Sequence, residues 1–380
     1  MSFSSLGLSA PLLAALTGQN YKEPFPIQEL VIPPVLAGKD ILGIAQTGSG
    51  KTAGFALPIL DLLQKQVESK NRHIRALVLV PTRELAIQTA DVFQKFGAKL
   101  PRQIKTMAVH GGVSINPQMI QMQHVEILVA TPGRLIELVV SKAVHLADVE
   151  ILVLDEADKM LNLGFRMELN QVLEQLPEKK QNLLFSATLG MDVGPMARLL
   201  LHDPVRIEVQ SETENIDLIT QTAYAVAPDR KGPLLRYLIL KQDMPQVLVF
   251  TSSVHKADAV TTKLRTNGIL AEAIHSKKTQ GGRTEALRKF KTGALRVLVA
   301  TDLASRGIDI PFLPFVINYE LPRSPKDYIH RIGRTGRAEN PGDAISLVSP
   351  GEEHHFKVIQ KKMGKIVLLQ ESNEFDLKGY

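Results

Sequence analysis

A chain of 380 residues is longer than one hydrophobic core usually serves, so two domains are the first expectation. Hydrophobic residues make up 44% and charged residues 22%, and the absence of cysteine excludes disulfides, iron-sulfur ligation, thiolate zinc sites and a cysteine nucleophile. The net charge of +6 arises after residue 205, since residues 1–205 hold 19 basic and 19 acidic side chains and residues 206–380 hold 26 and 20. The absence of cysteine favours a reducing, cytoplasmic setting. The chain lacks the basic start of a signal peptide and any run of 18 apolar residues, so we expect neither secretion nor a membrane span.

Short apolar runs that end in polar or glycine-containing clusters recur along the chain and predict buried parallel strands. In chain order they are RALVLVP, EILVATP, VEILVLDEAD, NLLFSAT, QVLVFTSS, RVLVATD and FVINYELP. Helical spacing lies between them, for example over Arg83–Leu100 and Lys256–Asn267. The pattern predicts an α/β fold that occurs twice, each time as a mostly parallel sheet with helices on both faces. Ligands of such sheets bind at the carboxyl ends of the strands.

A polar and acidic stretch, Gln210–Asp217, separates the two series of strands and predicts a linker. We therefore expect a first domain at 1–206, a linker at 207–217, a second domain at 218–368 and a short tail at 369–380. Between Lys256 and Arg296, ten basic residues stand against three acidic ones. This density fits a surface that faces a polyanion, and it fits a solvated helix face equally well.

The segment AQTGSGKT, Ala45–Thr52, follows an apolar run and precedes a predicted helix, which is the context of a Walker A loop. Gly48 and Gly50 allow backbone N–H groups to turn toward a phosphate, and Lys51 neutralises the β and γ oxygens. The hydroxyl of Thr52 can serve as a ligand of Mg²⁺. The predicted nucleotide-binding residues of the loop are Gln46, Thr47, Gly48, Ser49, Gly50, Lys51 and Thr52.

Adjacent carboxylates, Asp155 and Glu156, follow the apolar run VEILVL. A strand that ends in two acids beside a Walker A loop predicts a division of roles. We expect Asp155 to hold the Mg²⁺ that bridges the phosphates, largely through water, and Glu156 to orient and deprotonate the attacking water.

Asp155–Asp158 spells DEAD, and the chain resembles the DEAD-box RNA helicases, most closely the bacterial RhlE-like group. The resemblance covers nearly the whole length and implies two tandem RecA-like (P-loop NTPase) domains. Its ordered motifs are PTRELA (81–86), GG (111–112), TPGR (131–134), SAT (186–188), QGGR (280–283), ATDLASRGIDI (300–310) and YIHRIGRTGR (328–337).

The family's adenine-recognition element corresponds to NYKEPFPIQ, residues 20–28. The resemblance implies that Gln28 reads the adenine edge and that Phe3 is the aromatic that stacks on the base. An amide can donate and accept toward the N6 and N7 edge of adenine. Where the family usually has glycine and threonine, this chain has Asn20 and Phe25.

The resemblance also assigns roles in the second half. Arg334 and Arg337 are implied to be arginine fingers that reach across the domain cleft to the γ-phosphate, a contribution of about 10³ to 10⁵ in rate. Asp309 is implied to contact the ribose. The resemblance further implies that four residues couple closure of the domain cleft to the ATP site: Asp158, Ser186, Thr188 and His330.

The remaining motif positions are implied to contact RNA phosphates and 2′-hydroxyls, which favours RNA over DNA with little sequence preference. For any single one, a helix cap or a local salt bridge is an alternative role. The set is Arg83, Gly112, Thr131, Arg134, Gln280, Arg283, Thr301 and Arg306.

The expected activity is an RNA-dependent ATPase and ATP-dependent RNA helicase that separates short duplexes or remodels RNA–protein complexes. ATP and Mg²⁺ are the expected cofactors, RNA the expected partner, and a monomer the expected state. The alternative is an ATP-gated RNA clamp or scaffold with little unwinding, and a DNA-translocating motor fits the motifs less well. The segment after residue 368 lacks the basic tail that many relatives carry.

Overall fold

The computed structural model describes residues 2–19, 21–45, 48–65, 71–190, 192–209, 219–302, 313–336 and 342–380. The chain divides into two compact units, residues 1–211 and 212–380. Six residues with predicted or noted roles, Asn20, Gln46, Thr47, Arg306, Asp309 and Arg337, lie outside the described residues.

The first unit contains a seven-stranded sheet in which every described pairing is parallel. Its strands are β1 (Ile41–Ile44), β2 (Ala76–Leu79), β3 (Thr106–Val109), β4 (Ile127–Ala130), β5 (Ile151–Leu154), β6 (Gln181–Ser186) and β7 (Val205–Glu208). The helices are α1 (Ala10–Thr17), α2 (Pro26–Leu36), α3 (Lys51–Gln64), α4 (Arg83–Gly97), α5 (Ile115–Gln121), α6 (Pro132–Val140), α7 (Ala157–Asn162), α8 (Arg166–Leu173) and α9 (Val193–Leu200), with a 3₁₀ turn at Phe3–Leu6. The strand order is β3-β4-β2-β5-β6-β1-β7.

The second unit repeats this arrangement. Its strands are β8 (Ile219–Ala225), β9 (Val247–Thr251), β10 (Ala271–Ile274), β11 (Val297–Thr301), β12 (Phe315–Asn318), β13 (Gly342–Val348) and β14 (Leu369–Glu371). Its helices are α10 (Lys231–Lys241), α11 (Val254–Thr266), α12 (Gln280–Lys291), α13 (Pro325–Ile332) and α14 (Glu353–Met363), with a 3₁₀ turn at Pro350–Glu352. The order β10-β11-β9-β12-β13-β8-β14 is that of the first sheet, strand for strand.

Each sheet has a hydrophobic core on both faces because successive side chains of a strand point to opposite sides. In β2, Ala76 and Val78 join one buried cluster, and Leu77 and Leu79 join the other. In β9, Val247 and Val249 lie on one side, and Leu248 and Phe250 lie on the other. The predicted fold class, two mostly parallel sheets covered by helices, is confirmed.

Two of the helices that start with motif residues follow a hydroxyl side chain that accepts a hydrogen bond from the first turn. Thr82 accepts from the N–H of Leu85 at 3.3 Å before α4, and Thr279 accepts from the N–H of Gly282 at 3.2 Å before α12. Both helices start with motif residues, so the caps fix the positions of Arg83 and Gln280.

The predicted boundaries differ from the structure in two places. Ile207 and Glu208, placed in the linker, complete β7, which pairs with β1. The segment 369–380, placed in a tail, adds the edge strand β14 beside β8 and contributes to the core of the second unit. There the ring of Phe375 lies 5.5 Å from that of Tyr224 and 5.2 Å from that of Tyr237.

Candidate nucleotide and RNA-binding site

The loop between β1 and α3 has the backbone shape of a phosphate-binding loop. Gly48 and Gly50 have φ values of 85° and 86°, a left-handed conformation that side-chain-bearing residues rarely adopt. A Cβ atom at Gly50 would also lie 2.6 Å from the amide nitrogen of Gln28 and 2.9 Å from the ring of Phe25. Glycine is therefore required at this position by conformation and by space.

Lys51 begins α3 and is buried, with 7% of its surface exposed. Its Nζ donates a hydrogen bond to the carbonyl oxygen of Ala45 at 2.5 Å. Burial lowers the pKa of Lys51, and the nearby Asp155 and Glu156 carboxylates oppose that shift. The ammonium group is thus held at the start of the helix, inside the loop and close to the paired acids.

Asp155 follows β5 and is 2% exposed. Burial raises the pKa of Asp155 to about 6; Lys51 opposes this rise and Glu156 adds to it. One carboxylate oxygen of Asp155 accepts the N–H of Glu156 at 2.9 Å. A carboxylate held in this way favours a cation beside it.

Glu156 turns the chain from β5 into α7 in a left-handed conformation, with φ 54° and ψ 46°. Its Oε1 accepts a hydrogen bond from Lys159 Nζ at 2.7 Å. A non-glycine residue held in this conformation is strained, and such strain is common at functional sites. The sharp turn brings the second carboxylate to the same sheet edge as the first.

The DEAD segment is linked to the SAT segment at the end of β6. Thr188 Oγ1 donates to Asp158 Oδ2 at 3.3 Å. Ser186 Oγ donates to the Thr188 carbonyl at 2.7 Å and accepts the Thr188 N–H at 3.3 Å. Three of the predicted coupling residues therefore form one chain of hydrogen bonds, while His330 lies on α13 of the second unit.

Phe3 and Gln28, the two residues expected to contact adenine, are both buried in the first unit. Phe3 is 4% exposed and packs within the core of the first unit, and its stacking on the base stays a prediction. Gln28 is 1% exposed; its amide donates to the Gly50 carbonyl at 3.0 Å and accepts the Phe25 N–H at 3.0 Å. In this structure Gln28 supports the phosphate-binding loop, and adenine reading by Gln28 stays a prediction.

Phe25, which stands where the family usually has threonine, is an aromatic residue close to the phosphate-binding loop. Its ring is 47% exposed and lies against Gly50. An exposed aromatic side chain beside a phosphate-binding loop is available to contact a nucleotide. Its signal in the sequence was a bulky ring at a position where threonine is usual.

Two arginines support the loop that contains Gly111 and Gly112. Gly112 has φ 78°, and a Cβ atom there would overlap the guanidinium of Arg83. Arg134 is 6% exposed and donates to the Val113 carbonyl at 2.8 Å and to the Glu137 carboxylate at 2.9 Å. Thr131 is 7% exposed and lies at the start of α6. The four first-domain positions predicted to contact RNA thus adjoin one loop at the carboxyl edge of β3 and β4.

In the second unit, Gln280 and Arg283 begin α12 and Thr301 ends β11. All three are at least nine-tenths buried, with exposed fractions of 8%, 9% and 8%. They lie at the carboxyl edge of neighbouring parallel strands, as predicted, and their contact with RNA stays a prediction.

The arginine-rich motif on α13 contains one residue with a structural role that the sequence did not reveal. Arg331 is 2% exposed and forms a two-pronged ion pair with Asp302, at 2.6 Å and 2.8 Å. Its Nη1 also donates to Asn318 Oδ1 at 3.0 Å and to the Glu320 carbonyl at 2.7 Å. Arg334, three residues on, follows the helix and is partly exposed.

None of the helices in the described ranges is long and apolar enough to cross a membrane. Within those same ranges, no cluster of three or more His, Cys, Asp or Glu side chains is arranged to hold a metal ion.

Comparison of this sequence with family models and with known proteins shows the family to which the chain belongs. One family model, described as DEAD/DEAH box helicase, matches residues 25–194, and another, described as Helicase conserved C-terminal domain, matches residues 230–339. The ATP-dependent RNA helicase CshA of Limosilactobacillus reuteri is 40% identical over 362 residues, which is 95% of this chain and 72% of the relative. The chain belongs to the DEAD-box ATP-dependent RNA helicases.

Other comparisons agree. The DEAD-box ATP-dependent RNA helicase CshA of Bacillus cereus is 39% identical over 361 residues, 95% of this chain and 68% of the relative. Among solved structures, Saccharomyces cerevisiae Dbp5 bound to RNA and ADP BeF3 has 30% identity and a TM-score of 0.85, covering 99% of this chain and 97% of that chain. A DEAD box protein from Methanococcus jannaschii has 35% identity and a TM-score of 0.55, covering 98% and 99%.

This DEAD-box helicase is an RNA-dependent ATPase that binds RNA, and the predicted family and activity are confirmed. The RhlE-like subgroup stays a prediction.

Proposed function

We propose that ATP is hydrolysed at the carboxyl edge of the first sheet and that the cycle of binding and hydrolysis separates short RNA duplexes or remodels RNA–protein complexes. The observation that supports this most directly is the buried group of Lys51, Asp155 and Glu156 around the phosphate-binding loop. Each of its members has a chemical role in phosphoryl transfer to water.

Mg²⁺ fits the donors present at this edge. The Asp155 carboxylate is an oxygen ligand whose pKa is raised by burial, so a cation beside it would stabilise its charged form. The hydroxyl of Thr52 is a second oxygen donor in the first turn of α3. Hard oxygen ligands, with water and phosphate completing the shell, are those Mg²⁺ prefers. When bound, Mg²⁺ would neutralise charge on the phosphates.

In the proposed mechanism Lys51 binds the β and γ oxygens and Glu156 accepts a proton from the attacking water. Lys159 Nζ donates a hydrogen bond to Glu156 Oε1 at 2.7 Å and so orients that carboxylate. The hydrogen bonds from Asp158 through Thr188 to Ser186 connect the hydrolysis site to the end of β6. Loss of the γ-phosphate can therefore change the conformation of the SAT segment, Ser186–Thr188, through these hydrogen bonds.

The second unit is proposed to complete the reaction. By family resemblance, Arg334 and Arg337 stabilise the transferring phosphoryl group, Asp309 contacts the ribose and His330 joins the coupling residues. Because each unit supplies only part of the ATP site, hydrolysis without RNA should be slow.

RNA is proposed to contact both units through its backbone, at the eight positions named above, with little sequence preference. We also propose that the protein acts as a monomer in the cytoplasm. Complementary strands are separated locally because the bound strand adopts a shape that a duplex cannot keep.

The test is an ATPase assay with and without single-stranded RNA, combined with separation of a short RNA duplex. The wild type should show RNA-stimulated hydrolysis and duplex separation. Glu156→Gln should lose both, and Glu174→Gln, at an exposed position after α8, should lose neither. RNA-stimulated hydrolysis without strand separation would instead support the clamp, and full activity of Glu156→Gln would refute the assigned base.

A further inference from the structure

The second sheet has a counterpart of the nucleotide-binding edge. Because the two strand orders correspond, β8 takes the place of β1, and α10 takes the place of α3. Likewise β12 takes the place of β5, so Tyr319 and Glu320 stand where Asp155 and Glu156 stand in the first sheet. Ligands of doubly wound sheets bind at this edge, which makes its second copy a place to look for a further site.

Arg236, on α10, is a buried arginine without a carboxylate partner in the described part of the chain. It is 7% exposed, and neither a hydrogen bond nor an ion pair joins it to any described residue. Its Nε is fully shut off from solvent. Burial lowers the pKa of Arg236, and nearby Tyr319 opposes that shift. Buried guanidinium groups in proteins are normally paired, because an unpaired buried charge is costly.

Arg236 points back along the helix, as helical side chains do, toward Gly232 in the first turn of α10. A Cβ atom built on Gly232 would lie 3.5 Å from Arg236 Nη1 and 3.9 Å from the Tyr319 hydroxyl oxygen. Gly232 is the second residue of the helix, so its N–H has no acceptor within the helix. Three hydrogen-bond donors therefore lie close together beside Gly232: the Arg236 guanidinium, the Tyr319 hydroxyl and the Gly232 N–H. They lie at the N-terminal end of an 11-residue helix, which is the positive end of its dipole.

The Tyr319 hydroxyl belongs to this group. Tyr319 is 7% exposed, and no hydrogen bond joins its hydroxyl to a described residue. Burial raises the pKa of Tyr319, with Glu320 adding to the rise and Arg236 opposing it, so the hydroxyl keeps its proton and can donate.

The neighbouring carboxylates are engaged elsewhere. Glu352 accepts from Lys231 Nζ at 2.7 Å and from the Ser349 N–H at 3.0 Å. Glu320 accepts from the N–H and the hydroxyl of Ser252, at 2.8 Å and 2.7 Å. Lys231 also donates to the Tyr319 carbonyl at 3.1 Å, which fixes Tyr319 against the start of α10.

We propose that Arg236, the Tyr319 hydroxyl and the Gly232 N–H form a phosphate-binding site at the start of α10, separate from the ATP site of the first unit. A phosphate group supplies several acceptor oxygens and a negative charge, which match a guanidinium, a hydroxyl and a helix N-terminus. The group comes either from the backbone of bound RNA or from a free phosphate ester, and the chemistry of the site is the same for both.

The first arm of the test measures inorganic phosphate binding by calorimetry at constant ionic strength. The whole chain carries Lys51→Ala so that the phosphate-binding loop of the first unit contributes little. Saturable binding should weaken about ten-fold or more in Arg236→Gln and less in Tyr319→Phe, which removes only the hydroxyl. Lys241→Gln, the same loss of charge at the exposed end of the same helix, is the matched control and should bind as the parent does.

The second arm measures single-stranded RNA affinity against salt concentration in the otherwise unmutated chain. If the phosphate belongs to RNA, Arg236→Gln should bind about five-fold more weakly near 0.1 M salt, and the slope of log affinity against log salt should be shallower by about 0.7. If the ligand is a free phosphate ester, RNA binding should not change while the first arm still responds.

Thermal unfolding of the variants shows whether a loss of binding comes from misfolding or from loss of the site. Arg236→Met removes an unpaired buried charge, so it should raise the midpoint of the ligand-free protein. A lowered midpoint would mean that Arg236 has a stabilising partner within the protein, which overturns the proposal. The proposal also fails if Arg236→Gln and Tyr319→Phe match Lys241→Gln in both arms.

Discussion

Lys51 and Lys231 occupy the same place in the two sheets, since each begins the helix that follows the first strand. Lys231 is paired with Glu352 at 2.7 Å. Lys51 lies instead beside the carboxylates of Asp155 and Glu156, which follow β5. The difference shows that a shared fold does not by itself supply an ATP site. A carboxylate pair and a glycine-rich loop are needed around the lysine, and among the residues that the structure describes only the first unit shows both.

The sharpest test of this division of roles compares two arginines of one motif, Arg331 on α13 and Arg334 just after it. Arg334→Gln should reduce turnover by about 10³-fold or more with ATP binding largely retained, because it removes charge stabilisation from the transition state. Steady-state kinetics with saturating RNA measure this. Arg331→Gln, which breaks the ion pair with Asp302, should lower the thermal midpoint instead. Wild-type turnover in Arg334→Gln would remove it from the catalytic set.

The two lysines provide the next comparison. Glu156→Gln should reduce hydrolysis by about 10² to 10⁴-fold while retaining ATP and RNA, and Lys51→Ala should lose phosphate affinity. Lys231→Ala should keep ATP affinity and lower the free energy of unfolding by about 1 to 3 kcal/mol, because Glu352 loses its charged donor. Equilibrium binding and denaturant unfolding measure the two properties. If Lys231→Ala loses ATP as Lys51→Ala does, the contrast between the two edges is wrong.

Burial of Asp155 should make the free energy of unfolding depend on pH between about 4 and 6, a range in which its counterpart Tyr319 does not titrate. The pKa of Asp155 is about 6 in the folded protein, above its ordinary value near 4, so its ionisation costs stability as pH rises between these values. Asp155→Asn should raise the free energy of unfolding of the nucleotide-free protein by at most about 3 kcal/mol above pH 6. The gain should disappear below about pH 4, where the acid is protonated in both states. Denaturant titrations across this range check it, and an equal gain at every pH would contradict the burial argument.

Gln28 should have the smallest effect. Gln28→Ala should weaken ATP binding by about 1 to 3 kcal/mol. If the amide reads adenine in the bound state, GTP binding should change less, and the preference for ATP should shrink. If its role is the support of Gly50 seen here, ATP and GTP affinities should fall together. Titrations with both nucleotides distinguish these outcomes, and equal ATP and GTP use by the wild type would exclude adenine reading.

All seven apolar runs named from the sequence are strands, because a strand buried on both faces must be apolar throughout. Seven further strands of the described residues lie outside these runs, and two of them show why: β8 reads ITQTAYA, which is not apolar throughout, and β14 is an exposed edge strand whose partner is fixed only by the folded sheet. The burial of Phe3 and the bond from Gln28 to Gly50 also depend on contacts distant in sequence. Local sequence patterns could not reveal these contacts. The motifs did locate Lys51, Asp155 and Glu156, because each of these residues directly follows a strand or begins the helix after one, at the carboxyl edge of the sheet.

The central claim is that ATP bound to the first unit and RNA bound to both units stabilise one common state. The direct measurement is the RNA affinity of the whole chain with and without a non-hydrolysable ATP analogue and Mg²⁺, and the analogue's affinity with and without RNA. We predict that each ligand tightens the other by the same factor, of about ten-fold or more. With the analogue, about five neutralised phosphates should give a salt slope near −3.5. RNA affinity that does not change when the analogue is added would contradict the account.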